Sequence, residues 1–209
     1  MSMNSSGKLH RSTRRAALLV LVALLAGFGC GGSGGGGGVT PLPMPNPIAA
    51  SFAESGTAAS PDQVRLRGTA VGTDVVVDVV IAGATTSSDL YSFAFDLVLS
   101  DASVATYVAG SATFGSALTL GAGQTGEALA SQGGSRITVG VSKVGGGAGN
   151  GVGATEEVVA SLRFRVLKRE MTTLTIEGSP PNPPAALDST GAVIASVVFD
   201  AAAAAIGGS

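Results

Sequence analysis

Apolar residues recur at every second position along several short stretches of the chain. In residues 91–99, YSFAFDLVL, Tyr91, Phe93, Phe95, Leu97 and Leu99 alternate with Ser92, Ala94, Asp96 and Val98. A helix of that order would scatter the rings around its cylinder, so the period of two predicts a strand with one core face and one wetter face. The pattern returns in residues 136–144, RITVGVSKV, with Ile137, Val139 and Val141 inward. It returns again in residues 157–167, EVVASLRFRVL, where Val158, Ala160, Leu162, Phe164 and Val166 face one way and Ser161, Arg163 and Arg165 the other. Residues 75–81, VVVDVVI, are β-branched except for Asp78 and read as a strand buried on one face and half-buried on the other.

Shorter strands are predicted at 64–71, 113–120, 173–177 and 193–199, with a last one ending near Ile206. Turn formers punctuate them at 83–88, 121–126, Gly133 and Gly134, 145–153 and 179–184. Ala128, Leu129 and Ala130 suit a helical turn, and the alanines at 201–205 a helix start that Gly207 and Gly208 cut short. About nine short strands with such punctuation predict an all-β fold, two sheets packed face to face in a β-sandwich.

The first 29 residues follow a different rule. Lys8, Arg11, Arg14 and Arg15 precede an apolar or small stretch from Ala16 to Phe28, and no acidic residue intervenes. This is the pattern of a secretory signal peptide, whose apolar part is too short to cross a hydrocarbon core of ~30 Å as a helix. Arg14 and Arg15 also match the core of a twin-arginine export signal, although the surrounding pattern is poor. Cys30, the only cysteine, follows directly. The junction resembles the lipobox of bacterial lipoproteins, with Gly29 as the small residue before the cut but Gly27 where leucine is usual. Lipidation at Cys30 is the first expectation. The second is simple secretion or a periplasmic location, because Gly27, Phe28 and Gly29 also form a small-x-small cleavage site. Gly31 after the cysteine resembles the pattern that sorts lipoproteins to the outer membrane or cell surface. Residues 30–47 then read as a lipidated cysteine and a Gly/Pro-rich disordered linker, ending in Pro41, Pro43, Pro45 and Pro47, long enough to hold a domain ~20 Å or more from a membrane. Residues 48–209 form one domain with room for a real core.

Composition narrows the chemistry. With the leader removed, eight of the twelve lysines and arginines remain against fourteen acidic residues, a net charge of −6 with no basic cluster beyond Lys168 and Arg169. No nucleic-acid partner is expected. The sole histidine, His10, leaves with the leader, and Cys30 has no partner for a disulfide. The mature chain therefore lacks the side chains for a Ser-His-Asp triad, a Cys-His pair, or a His- or Cys-ligated zinc or haem site. No enzyme, cofactor or metal is expected, although a calcium held by loop carboxylates and carbonyls stays open.

The remaining motifs weaken on inspection. GNGVGA, 149–154, matches G-x-G-x-x-A, but a dinucleotide site needs a helix next, and strand periodicity follows. Glu156 and Glu157 are adjacent, so on a strand they point to opposite faces, whereas glycosidase carboxyls converge on one bond. Asp89, Asp101 and Asp188 stand apart in sequence, with no D-x-D-x-D-G calcium loop.

Four stretches carry a family resemblance: 75–104, where a core strand, a loop and an aromatic strand follow one another; SATFGSAL, 111–118; 135–167, a strand, a glycine-rich loop and the Phe164 strand; and LDSTGAVIASVVFD, 187–200. Over most of 62–206 their order resembles cohesin-type domains of the carbohydrate-binding-module/cohesin superfamily. The resemblance implies a nine-stranded jelly-roll, and a non-catalytic module that grips a dockerin-like protein, a small calcium-binding partner, or binds polysaccharide. A structural spacer without a ligand is the alternative. No contact residues carry over, because the family's binding face has no fixed motif. With no tryptophan in the chain, Tyr107 is the one ring expected to be exposed for a carbohydrate or partner.

Overall fold

The computed structural model describes residues 46–54, 62–82, 89–153 and 155–209. The chain divides into two units, Met1–Pro43 and Met44–Ser209. The leader, Cys30 and the tether as far as residue 45 lie outside the described residues, as does the whole of the turn at 83–88. Thirteen strands are described: β1 (Ala50–Ala53), β2 (Gln63–Val71), β3 (Asp74–Ile81), β4 (Ser92–Leu99), β5 (Ala105–Tyr107), β6 (Thr113–Phe114), β7 (Thr125–Gly133), β8 (Arg136–Val144), β9 (Glu157–Val166), β10 (Met171–Glu177), β11 (Ala185–Leu187), β12 (Val198–Phe199) and β13 (Ala204–Gly208). There is no helix among the described residues.

The strands form two sheets. One has seven strands in the order β1-β13-β10-β4-β8-β7, with β11 also on β4; the other has six in the order β12-β2-β3-β9-β5, with β6 also on β9. All pairings are antiparallel except β12 with β2. Only β2 with β3 and β7 with β8 are sequence neighbours that also pair. β5 and β6 follow one another along β9, and β10 and β11 along β4, while most other connections cross between the sheets, as in a jelly-roll, the class that the alternation predicts. Both hairpins turn on two residues, Gly72 with Thr73 and Gly134 with Ser135, and each glycine has φ +64. Glycine at the first central position suits a turn whose twist matches the flanking strands.

The core is where the period of two placed it. Phe93, Phe95, Leu97 and Leu99 of β4, with Ile137, Val139 and Val141 of β8, face Val75, Val77 and Val79 of β3 and Leu162 and Phe164 of β9. Lys143 continues the inward series of β8 and is also buried, at the end of the sandwich. Burial pushes its ammonium pKa down, against the pull of Asp89.

Several expectations need correction. In β9 the register slips opposite Val79 and Val80, so that Val79 pairs with Ala160 and Val80 with Val158. The extra residue reverses the phase, and Val159 is buried while Val158 is only half-buried. Ala128, Leu129 and Ala130 are not a helical turn but the middle of the nine-residue β7. The stretches 113–120 and 193–199 hold only the two-residue strands β6 and β12, because much of each crosses between sheets as loop.

The alanine-rich tail is a strand inside the larger sheet. β13 lies between β1 and β10, with Gly207 opposite both Ser51 and Met171. A Cβ on Gly207 would run into the Glu170 carbonyl, and one on Gly208 would meet Ile48 and the Lys168 carbonyl. Glycine is thus what lets this strand approach its neighbours. Gly207→Ala is expected to destabilise the fold by about 1–3 kcal/mol, the usual cost of overpacking, read from the urea midpoint.

A candidate partner-binding face

The outer faces of the two sheets differ in kind. On the six-stranded sheet, outward residues of β2, β3 and β9 form a ladder of charges that satisfy one another. Arg65 and Arg67 converge on Glu156, Arg67 at 2.6 Å, and Arg65 also reaches Glu54 at 3.6 Å. The Ser161 hydroxyl donates to Asp78 at 2.5 Å. Arg165 donates to both oxygens of Asp74, at 2.5 and 3.3 Å, and Arg163 stands 3.9 Å from the same carboxylate. The hydrogen bond from Arg165 holds the Asp74 carboxyl below its ordinary range, with burial working against it. A partner docking here would have to strip or displace paired charges.

The outer face of the larger sheet across β7, β8 and β4 carries small residues around Leu129, with Glu127 exposed on the same side of β7 and Asp96 and Arg136 on the outward series of β4 and β8. One cross-strand row runs from Leu129 to Gly140 to Ala94 to Ala185, and the next runs from Ser131 to Thr138 to Asp96 to Glu177. Leu129 is 70% exposed, and Val144 on the same face is 43% exposed. A Cβ built on Gly140 meets nothing within 4 Å, so the floor beside Leu129 is open. Leu129, Ala130, Ser131, Thr138 and Gly140 line a shallow groove of about 410 Å³. A lone exposed leucine means little, but one standing over a bare glycine floor has the form of an anchor.

At the margin of this face lies Asp96, on the polar side of β4 and yet fully buried. The segment 178–184, linking β10 to β11, closes over it. Arg136 donates to its Oδ2 at 2.6 Å and to the Gly178 carbonyl at 3.1 Å, and the Ser179 hydroxyl donates to the same Oδ2 at 2.5 Å. Arg136 also reaches Glu177 at 3.2 Å. Burial pushes the Asp96 carboxyl up, but Ser179, Arg136 and Thr138 together outweigh it and leave it below the ordinary range.

Asp74, Asp89, Asp96, Asp101 and Asp188 are all held below their unfolded values. A depressed carboxyl contributes stability that is fully present above the unfolded pKa of about 4 and is lost as pH falls toward the folded value. The urea midpoint is therefore expected to stay level from about pH 7 to 5 and to fall between about pH 5 and 2. A midpoint that held level into that acid range would contradict these shifts.

Tyr107, expected as the exposed ring, is 6% exposed. Its ring meets Phe164 edge-on at 6.1 Å, and its hydroxyl accepts from the Ala112 backbone N–H at 3.1 Å, so the ring is part of the core. Tyr91, which the alternation assigned to the core, is instead half-buried just before β4, its hydroxyl donating to the Gly145 carbonyl. Glu156 and Glu157 diverge as their adjacency predicts: Glu156 binds arginines, while Glu157 accepts from the Gly153 N–H at 3.1 Å. The GNGVGA stretch leads into β9, not a helix. Asp89 and Asp188 are brought close enough to interact, but each is occupied. Asp89 accepts from Ser189 and Gly149, and Asp188 from Thr190 and Ala192. Among the described residues no group of three or more His, Cys, Asp or Glu side chains is placed to hold a metal ion. The larger-sheet face itself was invisible in the sequence, since Leu129 breaks the alternation instead of following it.

No protein-family model matches the chain, and no curated protein matches it. Solved structures that it resembles are cohesin domains. One is a type II cohesin dyad from the adaptor ScaA scaffoldin of Acetivibrio cellulolyticus, at 15% identity and a TM-score of 0.48, covering 69% of this chain and 47% of that one. This chain thus spans about half the length of the dyad. A type II cohesin domain from the cellulosome of the same organism gives 16% identity and a TM-score of 0.47, over 68% of this chain and 92% of that one. A non-cellulosomal cohesin from the hyperthermophilic archaeon Archaeoglobus fulgidus gives 19% identity and a TM-score of 0.41, over 61% and 74%.

Proposed function

We propose that this is an exported, non-catalytic binding module, tethered to the cell envelope through a lipid on Cys30, which grips a dockerin-like protein with the outer face of β7, β8 and β4. The four stretches that resemble cohesins supply the class of partner. The contrast between the two sheets carries the choice of face: one surface carries a ladder of ion pairs across β2, β3 and β9, and the other offers Leu129 above Gly140, with Glu127 as the exposed charge on the same side of β7. The same face argues for protein over polysaccharide. No aromatic residue projects outward from β4, β8 or β7, and sugar rings are commonly held by stacking on such rings.

The test is binding of the full chain to a panel of dockerin-type modules, with insoluble polysaccharides in parallel. Saturable, calcium-dependent binding of at least one dockerin-type module is the expected outcome, since the partner's own calcium loops must be loaded to fold. Retention on polysaccharide alone would overturn the partner, and binding to neither would favour a spacer. The anchor has its own measurement. The mature N-terminus is expected to be Cys30 carrying the added mass of acyl chains, and Cys30→Ser is expected to move the protein into the soluble fraction. An unmodified Cys30 N-terminus would leave simple secretion.

A further inference from the structure

Among the described strands at the rims of the two sheets, one is long. β1 has four residues, β5 three and β12 two, and the Ala50 N–H of β1 also donates to the Gly72 carbonyl at 2.9 Å. β7 has nine, pairs with β8 alone, and keeps an unbroken register from Thr125 to Gly133. The Lys143 N–H donates to the Tyr91 carbonyl, so the odd-numbered residues of β8 turn their backbone groups toward β4 and the even-numbered ones toward β7. The register then aims Thr125, Glu127, Leu129, Ser131 and Gly133 at β8, and it leaves the N–H and C=O of Gly126, Ala128, Ala130 and Gln132 pointing out of the sheet. Among the described residues, none hydrogen-bonds to the backbone groups of these four. Proteins usually blunt such a row with proline, lysine or a bulge. β7 has none of these, and its inward Ala128 and Ala130 are only half-buried for want of a next strand.

We propose that two copies of this chain pair antiparallel along β7, about a two-fold axis at Leu129, and so join their larger sheets into one. The register selects a second copy as the occupant of this edge. With the axis at Leu129, Ala128 bonds to Ala130 of the second copy and Gly126 to its Gln132, each also in reverse, so all four outward residues find partners. On the outer face Leu129 meets Leu129 of the second copy, which covers part of a side chain otherwise 70% exposed. Glu127, the one charged residue of the strand, falls opposite Ser131 of the second copy. An axis at Glu127 would oppose two carboxylates, and one at Ala128 or Ala130 would set each leucine against Glu127 or Ser131 instead. The pairing uses the sheet edge, so the outer face of β7, β8 and β4 stays open and continues across the axis. Pairing of one strand buries little surface, which makes the dimer weak, with a dissociation constant of about 10–100 µM.

Sedimentation equilibrium of the full chain carrying Cys30→Ser, which removes both lipid and thiol, is expected to show a monomer–dimer equilibrium in that range. Ala130→Pro deletes an outward N–H and spares the β7-β8 bonds, so it is expected to abolish the dimer and leave the urea midpoint in place. Ser131→Lys is expected to tighten the dimer about threefold or more and Ser131→Glu to weaken it by as much, because the new charge faces Glu127 at two symmetric places. Leu129→Cys is expected to give a disulfide-linked dimer under mild oxidation, since the Cα atoms of a non-hydrogen-bonded pair stand about 4.5 Å apart; Glu127→Cys is expected not to. A chain that stays monomeric across and above that concentration range, a dimer that survives Ala130→Pro, or equal cross-linking of the two cysteine variants would overturn the proposal. Capture of a dockerin-type module by a chain that never dimerises would keep the partner reading and remove the dimer. A dimer that captures no such module would do the reverse.

Discussion

Phe164→Ala is expected to lower the unfolding free energy by about 3–5 kcal/mol, the range for emptying a phenylalanine site in a core. Phe164 is fully buried on β9, a strand that pairs with β3, β5 and β6, and its ring is met edge-on by Tyr107 at 6.1 Å. Its cross-strand partners are Val75 and Tyr107. Truncation therefore removes the side chain that joins the short β5 to the centre of the six-stranded sheet. The loss is not cushioned elsewhere, because the only cysteine is Cys30 and the domain has no disulfide to restrain its unfolded state. For a domain of this size the thermal midpoint should fall by roughly 10 °C. Val193→Ala, at a position 65% exposed, is the matched control and should stay within about 0.5 kcal/mol of the parent. If both variants melt alike, Phe164 does not sit where the fold places it.

The largest effect on function is expected at Leu129. Leu129→Asp should leave the urea midpoint within about 0.5 kcal/mol, since the side chain is 70% exposed, and should weaken capture of a dockerin-type module by about 2 kcal/mol or more, roughly 30-fold. An aspartate there would place an unpaired charge in the apolar centre of the contact. Gly140→Arg provides an independent line, because it raises a long side chain from a floor that is open to at least 4 Å and has no left-handed backbone to strain. Full binding by both variants would move the site to another surface. The acidic and basic ladder of the six-stranded sheet would then be the next to change, beginning with Arg163, whose nearest carboxylate is 3.9 Å away.

Strands β4, β8 and β9 were legible because each spans the sandwich with one face in the core, and burial on one side imposes a period of two on the residues. The nine-residue β7 was not. It is an edge strand with only partly buried inward positions, which alanine, glycine and glutamine fill, while its largest apolar residue points outward. Nothing in that order demands extension. β13 was legible only as a last strand ending near Ile206, beside a rival helix start at 201–205, since the crowding between β1 and β10 selects alanine and glycine, residues with little strand signature. Tyr107 was misjudged because β5 has three residues, too few for a period, and only packing against Phe164 decides where the ring goes.

By itself, then, the sequence determined the chain's class: alternating faces that require two packed sheets, a basic and apolar stretch that runs up to one cysteine, and residues 48–209 without a histidine or a thiol. Those properties follow from local periodicity and composition, which survive in a linear string. The tertiary structure alone decided which of the two outer faces carries the ladder of ion pairs, and that the 178–184 segment buries Asp96 beneath Arg136 and Ser179. Arg65 and Glu156 are 91 positions apart, and Asp96 and Ser179 are 83 apart. Charge pairing and burial at such separations depend on how strands are ordered across the sheets, and no short-range pattern records that order.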